Sequence, residues 1–296
     1  MSEHQIKQTS LSFENKWKRN PRLALASTLS EDSEIFKWIM ERNGFSSPIR
    51  FREYLGDKRR ILDAGCGNGR VTALLHQFAP DSADIAAFDL VAAQVAREYL
   101  AEFQNVKVFE ADLLGDLAFL GSFDFIYCQE VLHHTPDPRT SFLNLAALVA
   151  PKGEYAIYVY KVKAPIREYA DDMIRKCISG LSYDEAIVAA REIAELGRVL
   201  ASAKVRIACP AVKILGIEAG DYDIQRFLYH FFLKCFWSDE LSFEDNAAIN
   251  YDWYHPQICS RHTLSEVLGW FEVAGLEVVH SHVDQYGITV RGRRPG

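Results

Sequence analysis

The sequence ILDAGCGNGR, residues 61–70, is an apolar segment that leads through an acidic residue into three alternating glycines. The apolar segment predicts a strand, and the glycines predict a tight turn with backbone angles that other residues disfavour. Apolar residues recur at positions 71, 74, 75 and 78, the spacing of a helix that packs on a sheet. The stretch therefore predicts a β-loop-α unit whose loop N–H groups face a ligand. A glycine turn without a ligand is the alternative.

The spacing of the glycines distinguishes between two classes of ligand. The dinucleotide-binding pattern G-x-G-x-x-G needs a glycine at position 70, where this chain has Arg70. Asp63 suits an amino group better than a pyrophosphate, because a carboxylate repels phosphate. The G-x-G-x-G pattern with its preceding Asp63 resembles motif I of the class I S-adenosylmethionine-dependent methyltransferases. This resemblance implies S-adenosyl-L-methionine as the cofactor and places these residues at its site: Asp63, Gly65, Cys66, Gly67 and Gly69.

Two further segments fit the same family. Residues 83–90 predict a second strand that ends near Asp89, where a carboxylate can accept hydrogen bonds from both ribose hydroxyls. A helix N-cap is the alternative role for Asp89. Residues 105–110 predict a third strand, and the family commonly places an acidic residue after it, here Asp112, against the adenine amino group. The predicted cofactor site is completed by Leu90, Leu113 and Gln129.

The remaining pattern predicts the architecture. Residues 123–128 predict a fourth strand, and the segment QEVLHHTPDP at 129–138 resembles the part of the family that lines the pocket beside the transferable methyl. A helix over 139–149, a turn at 151–153 and a fifth strand over 154–160 follow. Strands that alternate with helices predict an α/β fold, a doubly wound, mostly parallel sheet with its site at the carboxyl ends of the strands. The family implies seven strands, the last antiparallel.

The closing elements of that fold are delayed by roughly a hundred residues. A capping box at 263–266 predicts the last helix, which stops at Gly275, and strands follow over 276–282 and 287–291. Residues 161–260 are therefore predicted as a helical cap insertion that leaves the ligand-binding rim and binds substrate.

Two helices are predicted inside this insertion. A capping box at Ser182 predicts a helix to about Ala203. Residues 221–237 predict a helix that is apolar on nearly all sides, which buries it in the core or in a subunit interface. The second possibility corresponds to a homodimer through this helix.

The segment NYDWYHP at 250–256 is predicted as a loop that suits a polar ligand with one stacking face. Tyr254 and His255 are its substrate-binding candidates, and a rigid loop packed on the core is the alternative. Tyr158 and Tyr160, at the end of the fifth strand, are further substrate-binding candidates.

Residues 1–58 form a third region, polar at first and then helical near Ile35, Phe36 and Ile39. A lid over the cofactor and helices packed at the sheet edge are equally consistent with this pattern, and residues 1–10 are predicted to be loose until ligand binds. The predicted domains are thus 1–58, 59–160, 161–260 and 261–296.

Composition and charge narrow the class of protein. A chain of 296 residues that is 49% hydrophobic can bury a large core. It has no apolar run of membrane-spanning length and no signal peptide, which predicts a cytoplasmic protein without a membrane partner. The six cysteines lack C-x-x-C spacing and are predicted to be reduced thiols, and no tight metal-binding motif occurs.

Charge bears on the acceptor. The formal net charge is -7, and residues 161–260 hold 12 Lys and Arg against 15 Asp and Glu. Nucleic-acid enzymes usually need a basic surface, so no nucleic-acid partner is expected. A small polar acceptor is expected instead: a metabolite, a sugar or a biosynthetic intermediate.

The resemblance implies methyl transfer by in-line displacement, in which positioning is the main catalytic contribution. A base is needed only when the accepting atom must lose a proton. His133 and His134 are the candidates, although a histidine pair at this point of the family is often structural, and Glu130 is a third catalytic or substrate-binding candidate. Alternative functions are a tRNA-modifying methyltransferase and a non-catalytic protein that binds S-adenosylmethionine for a regulatory or structural purpose.

Overall fold

The computed structural model describes residues 1–296, which divide into two compact units. The helical unit consists of Met1–Leu23 and Val162–Cys259, and the sheet unit consists of Ala24–Lys161 and Ser260–Gly296. The sheet unit is therefore assembled from two separate stretches of chain.

The elements follow in chain order. The helices are α1 (Glu3–Arg19), α2 (Leu25–Leu29), α3 (Glu34–Arg42), α4 (Pro48–Leu55), α5 (Arg70–Phe78), α6 (Ala93–Tyr99), α7 (Pro138–Ala146), α8 (Pro165–Ile178), α9 (Tyr183–Ser202), α10 (Ile224–Phe231), α11 (Phe243–Tyr254) and α12 (Leu264–Val273). The strands are β1 (Arg60–Ala64), β2 (Asp84–Asp89), β3 (Val106–Glu110), β4 (Phe123–Gln129), β5 (Val149–Tyr160), β6 (Arg206–Cys209), β7 (Gly220–Asp223), β8 (Glu277–Val283) and β9 (Gly287–Arg293). None of the helices combines the length and the apolar character needed to cross a membrane.

The sheet unit has seven strands in the order β3-β2-β1-β4-β5-β9-β8. Strands β1 to β5 pair in parallel, and β9 runs antiparallel to both β5 and β8. This confirms the predicted fold class and the antiparallel last strand. The strand order reverses between β1 and β4, so the loops after these two strands diverge and leave a crevice at their carboxyl ends.

Two hydrophobic clusters cover the two faces of this sheet. Ile61 packs in one cluster and Leu62 in the other, as expected for neighbouring residues of a strand. Phe142 of α7 stacks on Tyr155 of β5 at a centroid distance of 4.9 Å. Burial of both faces explains why the central strands are apolar throughout rather than alternating.

The N-terminal region differs from the prediction. Residues 1–10 are not loose, because α1 starts at Glu3 with a capping box between Ser2 and Gln5. The predicted segment 1–58 is also divided, since residues 1–23 belong to the helical unit and α2 to α4 belong to the sheet unit. Lys16 of α1 forms an ion pair of 3.0 Å with Asp252, which joins α1 to the insertion.

The fifth strand starts earlier than predicted. The expected turn at 151–153 lies inside β5, which pairs with β4 across a register shift. Lys152 takes a positive φ of 63°, and a Cβ at Gly153 would lie 2.8 Å from the carbonyl oxygen of Phe123. The Pro-Lys-Gly sequence therefore makes a bulge rather than a turn.

The predicted helix over 221–237 is shorter in the structure. Its first residues form β7, which pairs with β6, and α10 ends at Phe231. The chain beyond α10 is held by the side chain of Asn250, whose Oδ1 accepts the N–H of Phe236 and whose Nδ2 donates to the Phe236 carbonyl. These side-chain hydrogen bonds satisfy backbone groups that a helix would have paired with each other. The spacing of apolar residues along the sequence does not predict them. The proposed dimer through this helix stays a prediction.

The helix predicted from Ser182 is confirmed, since α9 begins there with a reciprocal capping box to Glu185 and ends at Ser202. The segment at 250–256 is not a loop, because α11 runs through Tyr254. All six cysteines are free thiols.

Candidate functional site

The glycine loop joins β1 to α5 and needs glycine at three positions. Gly65, Gly67 and Gly69 have φ angles of 77°, 55° and 85°, in the left-handed region that residues with a Cβ rarely adopt. A Cβ at Gly65 would lie 2.5 Å from the Val131 side chain. The N–H groups of Gly65 and Cys66 both donate to the Phe88 carbonyl, at 2.8 and 2.9 Å. The loop is thus bound to the end of β2.

Asp89, at the end of β2, has two roles in the backbone around it. Its Oδ2 accepts the N–H of Gly67 at 3.0 Å, and its Oδ1 accepts the N–H groups of Val91 and Ala92 at 2.9 Å each. These two bonds close a turn before α6, whose N-cap is Ala92 without a side-chain cap, so Asp89 is not the helix N-cap that was the alternative. Asp89 is partly exposed, and its Oδ2, which accepts only the N–H of Gly67, keeps one lone-pair site for a ligand hydroxyl.

Asp63 lies beneath the loop rather than on its surface. Its side chain is buried, and Oδ2 accepts a hydrogen bond of 2.6 Å from the Thr72 hydroxyl. Burial raises the pKa of Asp63 from 3.8 to about 7. Asp63 connects β1 to α5 in this structure, and its predicted contact with an amino group stays a prediction.

The other predicted cofactor residues differ in accessibility. Leu90 is 46% exposed beside Asp89, whereas Leu113 packs in the hydrophobic core. Asp112 is exposed, and its Oδ1 accepts the N–H of Leu114. Cys66 is buried, and this burial raises the pKa of its thiol, so it is a packing residue of the loop.

Glu130 follows β4 and pairs with the residue after the glycines. Its carboxylate lies 3.0 Å from the Arg70 guanidinium, which also donates to the Thr28 hydroxyl at 3.0 Å. Glu130 has a φ of 62°, which is unfavourable for a residue other than glycine. Such strain is common at functional sites and is retained when neighbouring contacts hold it. Glu130 therefore reaches Arg70 in this structure.

The two candidate histidines lie together with two of the candidate tyrosines. His133 and His134 form a 3₁₀ turn after β4, and Tyr158 and Tyr160 end β5. The His133 ring is fully buried, with its centroid 3.7 Å from Tyr160 and 4.4 Å from His134. His134 is partly exposed, so it is the more accessible of the two predicted bases.

The chain that closes the sheet unit holds this turn in place. Ser260 donates its N–H to the carbonyl of His133 at 2.8 Å, and His262 donates its N–H to the carbonyl of Tyr160 at 2.8 Å. The His262 ring lies 2.8 Å from the Ser260 hydroxyl and 2.9 Å from Glu266. The sequence analysis did not predict that these residues contact the histidine turn, and it placed Glu266 only in a capping box.

A hydrogen-bond chain beside Gln129 was also missed. Asn43 Nδ2 donates to the Tyr127 hydroxyl at 3.0 Å, and that hydroxyl donates to Gln129 Oε1 at 2.7 Å. The direction of this chain leaves Gln129 Nε2 as a buried donor that makes no hydrogen bond within the protein. Tyr127 and Gln129 are two residues apart in β4, so their side chains lie on the same face of the strand. This spacing was the only sign in the sequence that the two side chains are neighbours.

Tyr254 and His255 lie in the helical unit as internal side chains. The Tyr254 hydroxyl is 2.8 Å from Asp171, and His255 Nδ1 is 2.8 Å from Ser12 Oγ and 2.9 Å from the Tyr251 hydroxyl. Both residues are at least 96% buried. These polar groups are hydrogen-bonded inside the unit, as the alternative of a rigid packed segment expects, and their substrate contact stays a prediction. The histidines of the chain form no metal-binding group with other ligand-type side chains.

Residues 40–177, just under half of the chain, match a family model described as a methyltransferase domain. Residues 40–177 are therefore similar to methyltransferase domains. The matched residues include the glycine loop, Asp89 and the histidine pair.

Two similar proteins are ubiquinone biosynthesis O-methyltransferases. The protein from Bordetella avium is 38% identical over 100 residues, which cover 32% of this chain and 40% of that protein. The protein from Xanthomonas axonopodis pv. citri is 35% identical over 117 residues, which cover 36% of this chain and 47% of that protein. The chain thus spans less than half the length of these relatives. The solved structure of PKMT2 from Rickettsia typhi has a similar fold, with a TM-score of 0.51 and 14% identity over 79% of this chain and 42% of that chain.

S-adenosylmethionine is the cofactor of this family, and the residues around the loop fit it. The left-handed glycines keep side chains away from the loop backbone, and Oδ2 of Asp89 offers one unused lone-pair site to a hydroxyl group. Gln129 Nε2 offers a donor at the carboxyl end of β4.

Proposed function

We propose that this methyltransferase transfers the methyl group of S-adenosylmethionine to a small polar acceptor. The observation that carries the proposal is the hydrogen bond of 3.0 Å from Gly67 to Asp89, because it joins the strained glycine loop to the carboxylate suited to ribose. A loop that served only as a turn would not require this carboxylate beneath it. In this proposal Oδ2 of Asp89 accepts a ribose hydroxyl and the loop N–H groups face the methionine part.

The cofactor supplies a sulfonium methyl that is already activated, so the protein contributes mainly alignment. Gln129 donates to an oxygen of the cofactor, and Leu90 offers an apolar surface beside the ribose position. Arg70 holds Glu130 at 3.0 Å and keeps the loop after β4 in its strained conformation. Each of these roles is a matter of binding and orientation.

The acceptor is proposed to present a hydroxyl group. The two relatives above are named O-methyltransferases, and a hydroxyl must lose its proton during transfer. His134 is the proposed base because it is the partly exposed member of the pair, whereas His133 is packed against Tyr160. The acidic net charge of -7 supports a small molecule over RNA. The lid role of the N-terminal region and the substrate role of the insertion stay predictions.

The first test is calorimetric titration with S-adenosylmethionine and S-adenosylhomocysteine, with NAD as the control ligand. Micromolar binding of both sulfur ligands and no binding of NAD would support the proposal. A folded, ligand-free protein that bound neither would refute it. Formation of S-adenosylhomocysteine with a panel of hydroxylated metabolites then separates an enzyme from a protein that only binds the cofactor.

The matched test of the ribose assignment is Asp89→Ala against Asp84→Ala, which alters the exposed carboxylate at the opposite end of β2. We expect Asp89→Ala to weaken cofactor binding by about 1–3 kcal/mol, because it leaves polar partners unsatisfied. Asp84→Ala should leave the dissociation constant unchanged. Equal affinities in both variants would remove Asp89 from the site.

A further inference from the structure

Arg42, the last residue of α3, is enclosed between two aromatic rings of the sheet unit. Its guanidinium carbon lies 3.1 Å from the ring centroid of Trp38 and 4.0 Å from the ring centroid of Tyr158. The residue is 1% exposed, and its Nη2 donates to Oδ2 of Asp284 at 2.7 Å. Aromatic faces and a carboxylate stabilise a guanidinium that burial has removed from water. Together these contacts fix where the end of α3 lies.

Asp284 lies in the turn between β8 and β9 and organises that turn. Its Oδ1 accepts the N–H groups of Tyr286 and Gly287 at 2.7 Å each. Although burial opposes ionisation, the Arg42 guanidinium and these N–H groups hold the pKa of Asp284 below its usual value. A second contact joins the same elements, because Nε2 of His280 in β8 donates to the Arg42 carbonyl at 2.9 Å. The end of α3 is therefore joined to the closing hairpin through a side chain and through the backbone.

The next residue, Asn43, begins the hydrogen-bond chain that orients Gln129. Asn43 is the C-cap of α3 and is 3% exposed. Its Nδ2 donates to the Ile39 carbonyl at 2.9 Å and to the Tyr127 hydroxyl at 3.0 Å, and that hydroxyl continues the chain to Gln129. Because Arg42 and Asn43 are consecutive, a shift of Arg42 moves the first donor of the chain.

Tyr158 gives a second connection between Arg42 and Gln129. Tyr158 of β5 is the register partner of Gln129 of β4, so the two side chains lie side by side on one face of the sheet. The Arg42 guanidinium stacks on the Tyr158 ring. A Cβ at Gly287 would overlap this ring, so the closing hairpin also limits where the ring can lie.

We propose that Arg42 is a positioning residue for the cofactor site and that Asp284 is its anchor. Arg42 sets the place of Asn43, and the chain through Tyr127 then sets the direction of Gln129 Nε2. Neither Arg42 nor Asp284 contacts the cofactor in this role. The role rests on the proposed function, in which Gln129 donates to an oxygen of S-adenosylmethionine. It gives the hairpin that closes the sheet a part in cofactor affinity.

The first test observes Gln129 directly, through its side-chain amide signal in ¹⁵N–¹H correlation spectra of the ligand-free full chain. The signal is assigned by its absence in Gln129→Leu. Asp284→Asn removes the anionic partner of Arg42 and keeps Oδ1 for the turn, and we expect it to shift the Gln129 signal. The control is Asp124→Asn, which alters a carboxylate that accepts two backbone N–H groups near the opposite end of β4. It should leave the signal in place.

The second test measures affinity for S-adenosylhomocysteine by calorimetry in a double-mutant cycle. We expect Asp284→Asn to weaken binding by about fivefold in the wild-type background, within the range of one hydrogen bond. In the Gln129→Leu background the same change should have no further effect, because the amide that Asp284 helps to orient is gone. General loosening of the fold would weaken binding in both backgrounds, so the cycle separates positioning from a purely structural role.

Arg42→Met is the second variant if Asp284→Asn fails to fold, because methionine keeps an unbranched side chain between the two rings while the ion pair is lost. The proposal is overturned if the Gln129 signal of the folded variant stays at its wild-type position. Equal losses of affinity in the two backgrounds would overturn it as well.

The two tests keep this inference separate from the proposed function. A wild-type chain that does not bind S-adenosylhomocysteine rejects the cofactor assignment, whatever the amide signal does. A wild-type chain that binds it, together with an unchanged Gln129 signal in Asp284→Asn, rejects only the positioning role of Arg42 and Asp284.

Discussion

Asp63 shows how burial changes the chemistry of a single residue. It is an acidic residue next to a glycine loop, which suggests a ligand contact, yet the structure places it in the sheet core with the Thr72 hydroxyl as its partner. Its pKa of about 7 means that the carboxyl is protonated in part at neutral pH. The sequence correctly located the loop after Asp63, whereas the burial of this carboxyl and its partner Thr72 are known only from the structure.

This shift predicts a pH dependence of stability. A carboxyl whose folded pKa exceeds its unfolded value of 3.8 contributes stability in the protonated form, which is fully present below about pH 4 and is lost as the pH rises through about 7. In Asp63→Asn this loss is absent, so we expect the variant to gain stability relative to the wild type between pH 5 and pH 8. The gain should be on the order of 1–4 kcal/mol.

Urea unfolding of both proteins at pH 5 and pH 8 measures this difference. Asp84→Asn, at the exposed start of β2, is the control. Parallel stability profiles of Asp63→Asn and the wild type would show that burial of Asp63 does not govern its protonation.

Tyr127 is predicted to act through Gln129 as a positioning residue. Tyr127→Phe removes the donor that holds Gln129 Oε1, so the amide can rotate and its Nε2 is no longer fixed. We expect affinity for S-adenosylhomocysteine to fall by about tenfold, the scale of one hydrogen bond. Tyr155→Phe is the matched control, because the buried Tyr155 hydroxyl makes no hydrogen bond. Calorimetry checks both variants, and equal losses would point to a general effect of removing a buried hydroxyl.

At the scale of elements, local signals succeeded where the hydrogen bonds are local. The capping box at Ser182 correctly located α9, because its partners are three residues apart. The helix over 221–237 was wrong because Asn250, which lies on another helix, holds the backbone after α10. Apolar spacing reports burial, and it cannot report which side chain satisfies a backbone group.

His255 tests the structural role assigned to the end of α11. His255→Ala removes the contacts of Nδ1 with Ser12 and Tyr251 and leaves buried polar groups unsatisfied. We expect a loss of about 1–3 kcal/mol in the stability of the helical unit and unchanged cofactor affinity. His4→Ala, on the exposed face of α1, is the control for thermal unfolding. A stable variant with impaired turnover would restore the substrate role.

At the scale of the whole molecule, α1 belongs to the same compact unit as the insertion, although more than a hundred residues separate them. Gln8 donates to the His255 carbonyl at 2.8 Å, and Thr9 Oγ1 accepts the N–H of Ile258 at 3.0 Å. These hydrogen bonds join polar groups that are far apart in the sequence, so the spacing of hydrophobic residues does not predict them.

Removal of residues 1–23 is therefore predicted to make the helical unit sensitive to protease while the sheet unit stays resistant. The physical reason is that deletion exposes the polar partners of α1 and removes the ion pair between the buried Lys16 and the partly exposed Asp252. Limited trypsin digestion followed by mass spectrometry locates the first cuts. Lys18→Met is the control, because its ion pair with Glu14 is exposed. First cuts inside the sheet unit would contradict the prediction.

The sequence by itself determined the order of strands and helices in the sheet unit, the glycine loop and the carboxylate at the end of β2. Those features depend on spacing along the chain and on backbone angles that few residues tolerate, and both are visible locally. Only the tertiary structure decided that Asp63 and Tyr254 are internal, that Asn43 orients Gln129 through Tyr127, and that Arg42 pairs with Asp284. These outcomes depend on which polar groups come into contact after folding. Residues far apart in the sequence form these contacts because burial leaves their polar groups in need of hydrogen-bond partners, and no repeated sequence pattern encodes the pairing.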